Sequence, residues 1–353
     1  MPQYRRTTIV VALPCREILT AASGDVGLVR VLDSYMQGLE SCLVGMEACA
    51  GAHHWAQCFQ AMGHRVVLMA PQHVKPYVLG QKNDANDAAG ICEAITRPHI
   101  PHVAIKTQAQ QDIQALHRIR SDVMKTRTAK VNQVRGLLAE HGMVIAKSIH
   151  QCRRALPMIL EDAENGLSCG FRVLLSGLYE DLVALDHRIA QLDTAVHDSV
   201  RQHDLARRLC ELPGTGASSC FDGIGPVSAS ALLTLLPDQR QAANFKNGRQ
   251  FAAFLGLTPR QHSSGGKPRL LGIHKRGDGY VRSLLVHGAR SVQRVAANKD
   301  DARSQWLVNL GKRRHRNITV VAQANKTARL AWAIVRYERT YQANWQPVAA
   351  QMM

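Results

Sequence analysis

The sequence predicts three parts: an α/β domain at residues 1–106, a helical coiled-coil arm at 107–205 and a basic, mostly α-helical domain at 206–345. Three observations lead to this division. Short apolar runs of strand length alternate with helical segments up to residue 106. Apolar residues then recur every three or four positions. After residue 206, glycine-rich turns and basic residues dominate, and residues 346–353 form a short tail.

The first domain is predicted from four apolar runs with the composition of β-strands. These runs lie near residues 7–13, 41–47, 65–69 and 102–106. Segments 26–39 and 52–62 have helical periodicity, and Gly63 suits the C-terminal end of the second helix. A third helix begins at Asp84 and ends before Pro98, since proline restricts the residue that precedes it. Alternation of this kind is typical of a central sheet covered by helices.

The arm is predicted from an apolar stripe between residues 108 and 205. In its second half, the stripe repeats at a spacing close to a coiled-coil heptad. The residues of this repeat are Leu182, Leu185, Ile189, Leu192, Val196 and Val200. Glycine-containing segments at Gly142 and 165–170 are expected breaks. We therefore expect two or three long helices whose stripe forms a core or an oligomer interface.

The positive charge of the chain is concentrated in one region. The net charge is +17, and residues 240–339 hold 21 Lys and Arg against 4 Asp and Glu, which accounts for the whole excess. Such a region indicates a polyanion-binding surface. Nucleic acid is favoured over an acidic protein or a membrane surface, because the cations lie among glycine-rich turns and not on one amphipathic helix.

Cysteine usage and hydropathy indicate the compartment. No apolar run approaches the length of a membrane span, and no secretory signal is present. The nine cysteines have no Cys-x-x-Cys spacing, which favours reduced thiols and argues against zinc. We expect a cytoplasmic protein without a membrane partner.

Two Gly-x-Gly turns open the third part, at 214–216 and 223–225. The second precedes an apolar helix over Val227–Leu236. Glycines at a helix start expose backbone N–H groups and the positive end of the helix dipole, which suits a phosphate. The turn is not a Walker loop. With the basic residues that follow, it is similar to a helix-hairpin-helix nucleic-acid contact, so Gly223 and Gly225 are candidate binding residues.

A serine pair lies in the polar turn Ser263-Ser264-Gly265-Gly266, between an apolar helix and a basic stretch. An accessible hydroxyl there could attack a phosphoryl group, with nearby cations stabilising the charge that develops. The same residues are also consistent with an ordinary Ser-Gly loop. The cations expected to contact phosphates are Arg260, Lys267, Arg269, Lys275, Arg276, Arg282 and Arg290.

Three acidic residues in the first domain form a second candidate site. Asp84 and Asp87 are three residues apart at a helix start, so they lie on the same side of the helix. Glu47 ends an apolar strand that could meet them across a sheet. Converging carboxylates repel one another unless a divalent cation binds between them, and oxygen ligands beside a basic surface suit a phosphodiester substrate. A capped, solvated helix start is the alternative.

Several segments, in order along the chain, resemble the DEDD transposases of bacterial insertion sequences, a group that includes the Piv-type DNA invertases and the RNA-guided bridge recombinases. In the first domain they include Met46-Glu47-Ala48-Cys49, Gly63-His64-Arg65-Val66 and Lys82-Asn83-Asp84-Ala85-Asn86-Asp87. In the third part they include Gly256-Leu257-Thr258-Pro259-Arg260, His262-Ser263-Ser264-Gly265 and Lys275-Arg276-Gly277-Asp278. The resemblance covers about residues 45–340.

The resemblance implies a RuvC-like, RNase H-type fold for residues 1–106 and a Mg²⁺ site of four carboxylates in the order Asp, Glu, Asp, Asp. Glu47, Asp84 and Asp87 fill the last three places. It implies that Ser264 attacks DNA and holds the broken strand covalently until rejoining. It further implies a homo-oligomer, dimer or tetramer, in which carboxylates and serine meet in a composite site. Donor DNA, target DNA and a non-coding guide RNA are the expected partners, in the bacterial nucleoid.

The first position of the tetrad departs from the family pattern. The first strand carries Ala12 where the family has an aspartate, and Asp25 or Asp33 would have to substitute for it. A missing ligand would weaken Mg²⁺ binding, so a catalytically inactive relative that binds RNA and DNA is one alternative. A RuvC-like nuclease that cleaves without rejoining is another, and it would work without Ser264.

Overall fold

The computed structural model describes residues 9–12, 26–81, 83–210 and 224–339. The chain divides into two compact units, residues 1–109 and 110–353. Within the described ranges, no helix combines the length and the apolar character that a membrane span requires. Asp25, the glycine turn at 214–216, Gly223 and the tail at 346–353 lie outside the described residues.

A four-stranded sheet with the order β1-β2-β3-β4 forms the centre of the first unit. Its strands are β1 (Ile9–Ala12), β2 (Leu43–Glu47), β3 (Arg65–Met69) and β4 (His102–Val103). β2 and β3 are parallel, whereas β1 and β4 run antiparallel to their neighbours. The order of strands and helices matches the predicted alternation, but β4 occupies only the first part of the run at 102–106.

Helices cover both faces of the sheet. They are α1 (Val26–Gln37), α2 (Ala52–Ala61), α3 (Pro71–Val74), which continues as a 3-10 turn (Lys75–Tyr77), and α4 (Asp84–Ile95). Val44 and Met46 of β2 pack in a buried cluster with α1 and α2. Leu43 packs in a second cluster with α4, on the opposite face. Successive strand residues point to opposite faces, so a strand that is buried on both sides must be apolar throughout, as β2 is up to Glu47.

Three helices form the arm: α5 (Gln108–Glu140), α6 (Ile149–Glu161) and α7 (Cys169–Gln202). α5 and α7 run antiparallel and are joined by three ion pairs. These are Arg120–Asp193, Arg127–Asp186 and Lys130–Asp181, with N–O distances of 2.5, 2.8 and 2.8 Å. The predicted stripe on α7 is buried at Leu182, Ile189, Leu192, Val196 and Val200. Partly exposed ion pairs contribute about 0–1 kcal/mol each, so the apolar stripe is the main stabilising feature.

Seven helices and one β-hairpin complete the described part of the second unit. The helices are α8 (Asp204–Cys210), α9 (Pro226–Leu233), α10 (Gln239–Ala243), α11 (Gly248–Phe254), α12 (Gly279–Val295), which is followed by a 3-10 turn (Ala296–Asn298), α13 (Ala302–Arg313) and α14 (Arg316–Tyr337). The hairpin strands are β5 (Pro259–Gln261) and β6 (Leu270–Ile273). Ile113 of α5 and Val200 of α7 belong to the core of this helical bundle, so the base of the arm is integral to it.

A buried polar cluster fastens the base of the arm to the bundle. The His117 ring of α5 lies 2.9 Å from Ser230 Oγ of α9 through Nε2, and 3.0 Å from Tyr280 Oη of α12 through Nδ1. Ser230 Oγ donates its proton to the carbonyl of Pro226 at 2.9 Å, so it accepts from His117 Nε2–H. Tyr280 then donates to Nδ1, and the imidazole is neutral. Burial, reinforced by the charge of Arg120, lowers the pKa of His117 from 6.5 to about 4.

Candidate functional site

The serine turn is the tip of the β5–β6 hairpin. Gln261 pairs with Leu270, His262 N donates to Arg269 O at 2.9 Å, and Ser264 pairs with Lys267. The loop between the last pair is Gly265–Gly266, and both residues have positive φ, at 57° and 74°. A two-residue loop with φ positive at both positions is the turn that matches the twist of a hairpin and strongly favours glycine. The Ser-Gly segment is therefore a structured turn that presents Ser264 at its edge.

The two adjacent serines have different surroundings. Ser263 Oγ accepts hydrogen bonds from Arg269 N and from Gln261 Nε2, each at 3.0 Å, so it ties the two strands together. Within the described residues, the Ser264 side chain has no hydrogen-bond partner, and the residue is exposed. Of the pair, Ser264 is the hydroxyl that is available for chemistry.

Tight backbone contacts hold the base of the hairpin. Gly277 has φ 76°, and a Cβ placed there would lie 1.9 Å from the carbonyl oxygen of Phe254, so only glycine fits. Arg282 of α12 donates to the carbonyls of Leu255 and Arg276 at 3.0 and 2.8 Å. The sequence predicted Arg282 as a phosphate contact. In the structure its Nη1 fixes the loop from which the hairpin projects, and its contact with a phosphate stays a prediction.

The other predicted cations are open to solvent; five lie on or next to the hairpin in sequence, and Arg290 lies on α12. Within the described ranges, none of them takes part in an ion pair, and all six side chains belong to exposed residues. These six are Arg260, Lys267, Arg269, Lys275, Arg276 and Arg290. Asp278 is the acidic residue nearest in sequence to the five at the hairpin, and its carboxylate accepts hydrogen bonds at the start of α12. Exposed cations without ion-pair partners attract polyanions.

The glycine turn before α9 offers fewer backbone N–H groups for a phosphate than the sequence predicted. Gly225 is the N-terminal cap of α9, and its carbonyl accepts from Ala229 N at 2.8 Å. Pro226 occupies the first helical position and has no N–H to donate. Ser228 to Leu233 are buried, so α9 is a core helix that reaches the surface only near its start. Its partner glycine in the motif, Gly223, is outside the described residues.

The three acidic residues lie on two adjoining elements of the first unit. Glu47 ends β2 on the face that carries Gly45, and a Cβ at Gly45 would meet Ile95 Cδ1 of α4 at 2.8 Å. Asp84 and Asp87 occupy the first turn of that helix, which Asn83 caps by accepting from Asn86 N at 2.7 Å. α4 therefore covers the face of β2 to which Glu47 belongs.

These carboxylates do not form a complete metal site. Among the described residues, no three His, Cys, Asp or Glu side chains lie together in a group that could hold a metal ion. Carboxylate oxygens suit Mg²⁺, but Mg²⁺ requires near-octahedral ligands at about 2.1 Å. The carboxylate oxygens are therefore suitable ligands for Mg²⁺. The arrangement of the three residues is not that of a Mg²⁺ site.

The register of β1 separates Ala12 from Glu47. In the antiparallel β1–β2 pair, Ala12 lies opposite Leu43, while Ile9 lies opposite Met46. Glu47 is four residues beyond Leu43, which corresponds to about 13 Å along the strand. Asp33, one possible substitute, lies on α1 and accepts a hydrogen bond from Gln37 Nε2 at 3.1 Å. The structure does not bring Ala12 and Glu47 together.

A second exposed basic segment was not among the sequence candidates. Lys312–Arg316 spans the end of α13, the turn Arg314–His315 and the first residue of α14, and all five of its residues are exposed. No Asp or Glu occurs between Asp301 and Glu338. The run of four Lys and Arg residues in this segment was visible in the sequence, but only the structure shows that it is an exposed junction between two helices.

Comparison with known proteins gives the family of the chain. A model described as "Transposase IS116/IS110/IS902 family" matches residues 219–305, and an IS110-type DEDD transposase model matches residues 19–143. Ser264 lies in the first range, the three carboxylates lie in the second, and Ala12 precedes both.

Three curated relatives align with most of the chain. A probable family 20 transposase of Pseudomonas aeruginosa is 46% identical, over 88% of this chain and 89% of its own length. The transposase for insertion sequence element IS1111A of Coxiella burnetii is 40% identical, over 87% and 82%. The transposase for insertion sequence element IS1328 of Yersinia enterocolitica is 36% identical, over 86% of both. The chain therefore belongs to the IS116/IS110/IS902 family of insertion-sequence transposases.

Proposed function

We propose that this transposase cuts and rejoins DNA through a covalent intermediate on Ser264. The observation that carries the proposal is the contrast between the two serines of the hairpin. Ser263 Oγ is used to join the strands, whereas Ser264 is exposed at the turn and pairs with the cationic residue Lys267. A side chain that attacks a phosphodiester must be accessible to it. Cations beside that side chain stabilise the charge on the phosphoryl group that is transferred.

The proposal assigns Glu47, Asp84 and Asp87 to Mg²⁺ binding in a RuvC-like first unit. It is supported by the common position of Glu47 and α4 on one face of β2, and by the preference of Mg²⁺ for oxygen ligands. A bound Mg²⁺ would polarise a phosphoryl oxygen. Further ligands would have to come from rearranged side chains, water or the phosphates of the substrate.

The DNA-binding surface in this proposal includes the six exposed cations named above and the segment Lys312–Arg316. A non-coding guide RNA is also part of the proposal, because a surface with so many unpaired cations would bind RNA phosphates as readily as DNA phosphates. A homo-oligomer is included because the family resemblance implies one. Sequencing the RNA that copurifies with the protein tests the guide. A structured transcript from DNA that flanks the gene is the expected result, and random cellular RNA would contradict it.

A covalent-adduct assay tests the nucleophile. A nicked DNA duplex that carries the end of the insertion sequence traps the cleaved strand on the protein, and denaturing gels then separate the adduct. Ser264→Ala should abolish adducts. Ser263→Ala should retain them at a lower rate, and Ser291→Ala, at an exposed serine of α12, should be unaffected. Loss of adducts in Ser263→Ala with retention in Ser264→Ala would reverse the assignment.

An inactive nucleic-acid-binding protein is the second candidate. It is favoured by the missing metal-ligand group among the described residues and by a first strand, Ile9–Ala12, that contains no acidic residue. Such a protein would bind DNA and form no adduct in any variant. Cleavage that persists in Ser264→Ala without adducts would instead indicate a hydrolytic nuclease.

A further inference from the structure

The hairpin register places one histidine on the same face as Ser264. β5 ends at Gln261 and β6 begins at Leu270, but the pairing register is the same at Gln261–Leu270 and at the isolated bridge Ser264–Lys267. Between them, His262 N donates to Arg269 O at 2.9 Å, so His262 lies opposite Arg269. Residues two apart on a strand share a face, and so do residues directly opposite on neighbouring antiparallel strands. His262, Ser264, Lys267 and Arg269 therefore project from one face of the hairpin, and Ser263 projects from the other.

The spacing on this face suits proton transfer. Residues i and i+2 on a strand are separated by about 6.7 Å between Cα atoms, and directly opposed residues by about 5 Å between Cβ atoms. The two side chains make no hydrogen bond to each other in the structure, and both residues are exposed. An imidazole extends several ångströms from its Cα, so rotation of the His262 side chain can bring its ring to Ser264 Oγ. His262 is exposed, and within the described residues its ring has no hydrogen-bond partner.

No other side chain of the hairpin is an equally suitable proton acceptor for Ser264. Residues 259–273 include no Asp, Glu, Cys or Tyr, and the other ionisable side chains there are the basic residues Arg260, Lys267 and Arg269. Histidine is the residue type that exchanges protons near neutral pH. A serine hydroxyl is a weak nucleophile until a neighbouring base removes its proton.

We infer that His262 is the general base that activates Ser264, an inference that rests on the proposed role of Ser264. The Oγ–H proton passes to a ring nitrogen of His262 as Oγ forms a bond to phosphorus. The bond from phosphorus to the leaving deoxyribose oxygen breaks on the side opposite Oγ, that oxygen takes up a proton from water, and the imidazolium releases its proton to water. Arg269 and Lys267, directly opposite His262 and Ser264, hold the phosphoryl oxygens. Rejoining is the same sequence in reverse.

Single-turnover adduct formation with the full-length protein and the nicked duplex tests this inference. General acid–base catalysis contributes about 10²–10⁴-fold, so His262→Ala should slow adduct formation at least about 100-fold at saturating DNA. The affinity for the duplex should change less than about threefold, because the ring is not one of the phosphate-binding cations. His287→Ala, at an exposed histidine of α12, is the matched control and should react at the wild-type rate.

Chemical rescue distinguishes a base from a structural residue. Imidazole added to the buffer should restore a large part of the rate in His262→Ala and should not affect Ser264→Ala. A wild-type rate in His262→Ala, or a slow rate that imidazole does not raise, would overturn the inference while leaving the serine assignment intact. Adducts that persist in Ser264→Ala, or that are absent from the wild type, would overturn both.

Discussion

The buried His117 cluster makes the stability of the second unit depend on pH in a defined direction. The unfolded chain protonates this histidine below its ordinary pKa of 6.5, whereas the folded chain does so only near pH 4. Between these values the unfolded state binds more protons, so the free energy of unfolding falls as the pH falls. The physical cause is burial, reinforced by the charge of Arg120. An imidazolium would also have two N–H donors to place, where Ser230 accepts only one and Tyr280 donates to the other nitrogen.

The magnitude follows from the two pKa values. At pH 5, a shift from 6.5 to about 4 corresponds to a loss of about 2 kcal/mol relative to pH 8. Urea denaturation at pH 8, 6.5 and 5, followed by far-ultraviolet circular dichroism, measures this loss in the wild type and in His117→Gln. Glutamine does not titrate, so the variant should lose about 2 kcal/mol less between pH 8 and pH 5.

The comparison uses the pH dependence and not the absolute stability, because His117→Gln also alters hydrogen bonds. His150→Gln is the control, since the His150 side chain is exposed. It should show the same pH dependence as the wild type. Equal losses in the wild type and in His117→Gln would refute the assignment of a neutral, buried imidazole at this position.

Three further predictions concern the surface, the hairpin base and the first strand. Replacing the four Lys and Arg residues of Lys312–Arg316 with Gln should lower the slope of log affinity against log salt by about 3, and an unchanged slope would exclude phosphate contacts there. Gly277→Ala should destabilise the hairpin base by about 3 kcal/mol, measured by urea denaturation, while Gly272→Ala, with open space around it, should cost less than about 1 kcal/mol. Ala12→Asp should leave the Mg²⁺ dependence of adduct formation unchanged, because the register keeps position 12 away from Glu47; restored Mg²⁺-dependent cleavage would contradict that register.

Local patterns in the sequence predicted much of the architecture. The stripe from Leu182 to Val200 is buried as its spacing indicated, because a helix places residues three and four apart on one side. The apolar run of β2 predicted a strand, which is buried against helices on both faces. Ser264-Gly265-Gly266 predicted a turn, and two consecutive glycines suit the positive φ values that a two-residue hairpin loop needs.

Contacts between residues that are distant in the sequence could not be predicted from local patterns. The antiparallel direction of β1, which separates Ala12 from Glu47, depends on hydrogen bonds between segments about thirty residues apart. The structural use of Arg282 depends on carbonyls of a loop that folds back on α12. In the sequence, His117 is one polar residue among many on α5. Only the packing of Ser230 and Tyr280 against it distinguishes it from the others.

By itself, the sequence determined the family, the strongly basic character of the C-terminal domain and the order of helices and strands in the first unit, since these depend on composition and on short-range periodicity. Only the tertiary structure decided which of two adjacent serines is hydrogen-bonded within the hairpin and which, among the described residues, has an unbonded, exposed hydroxyl. It also decided which cations bind backbone carbonyls and which face solvent. The physical reason is that hydrogen-bond partners and strand register are set by residues distant in sequence. The same register brings His262 to the face of Ser264 and keeps Ser263 on the other.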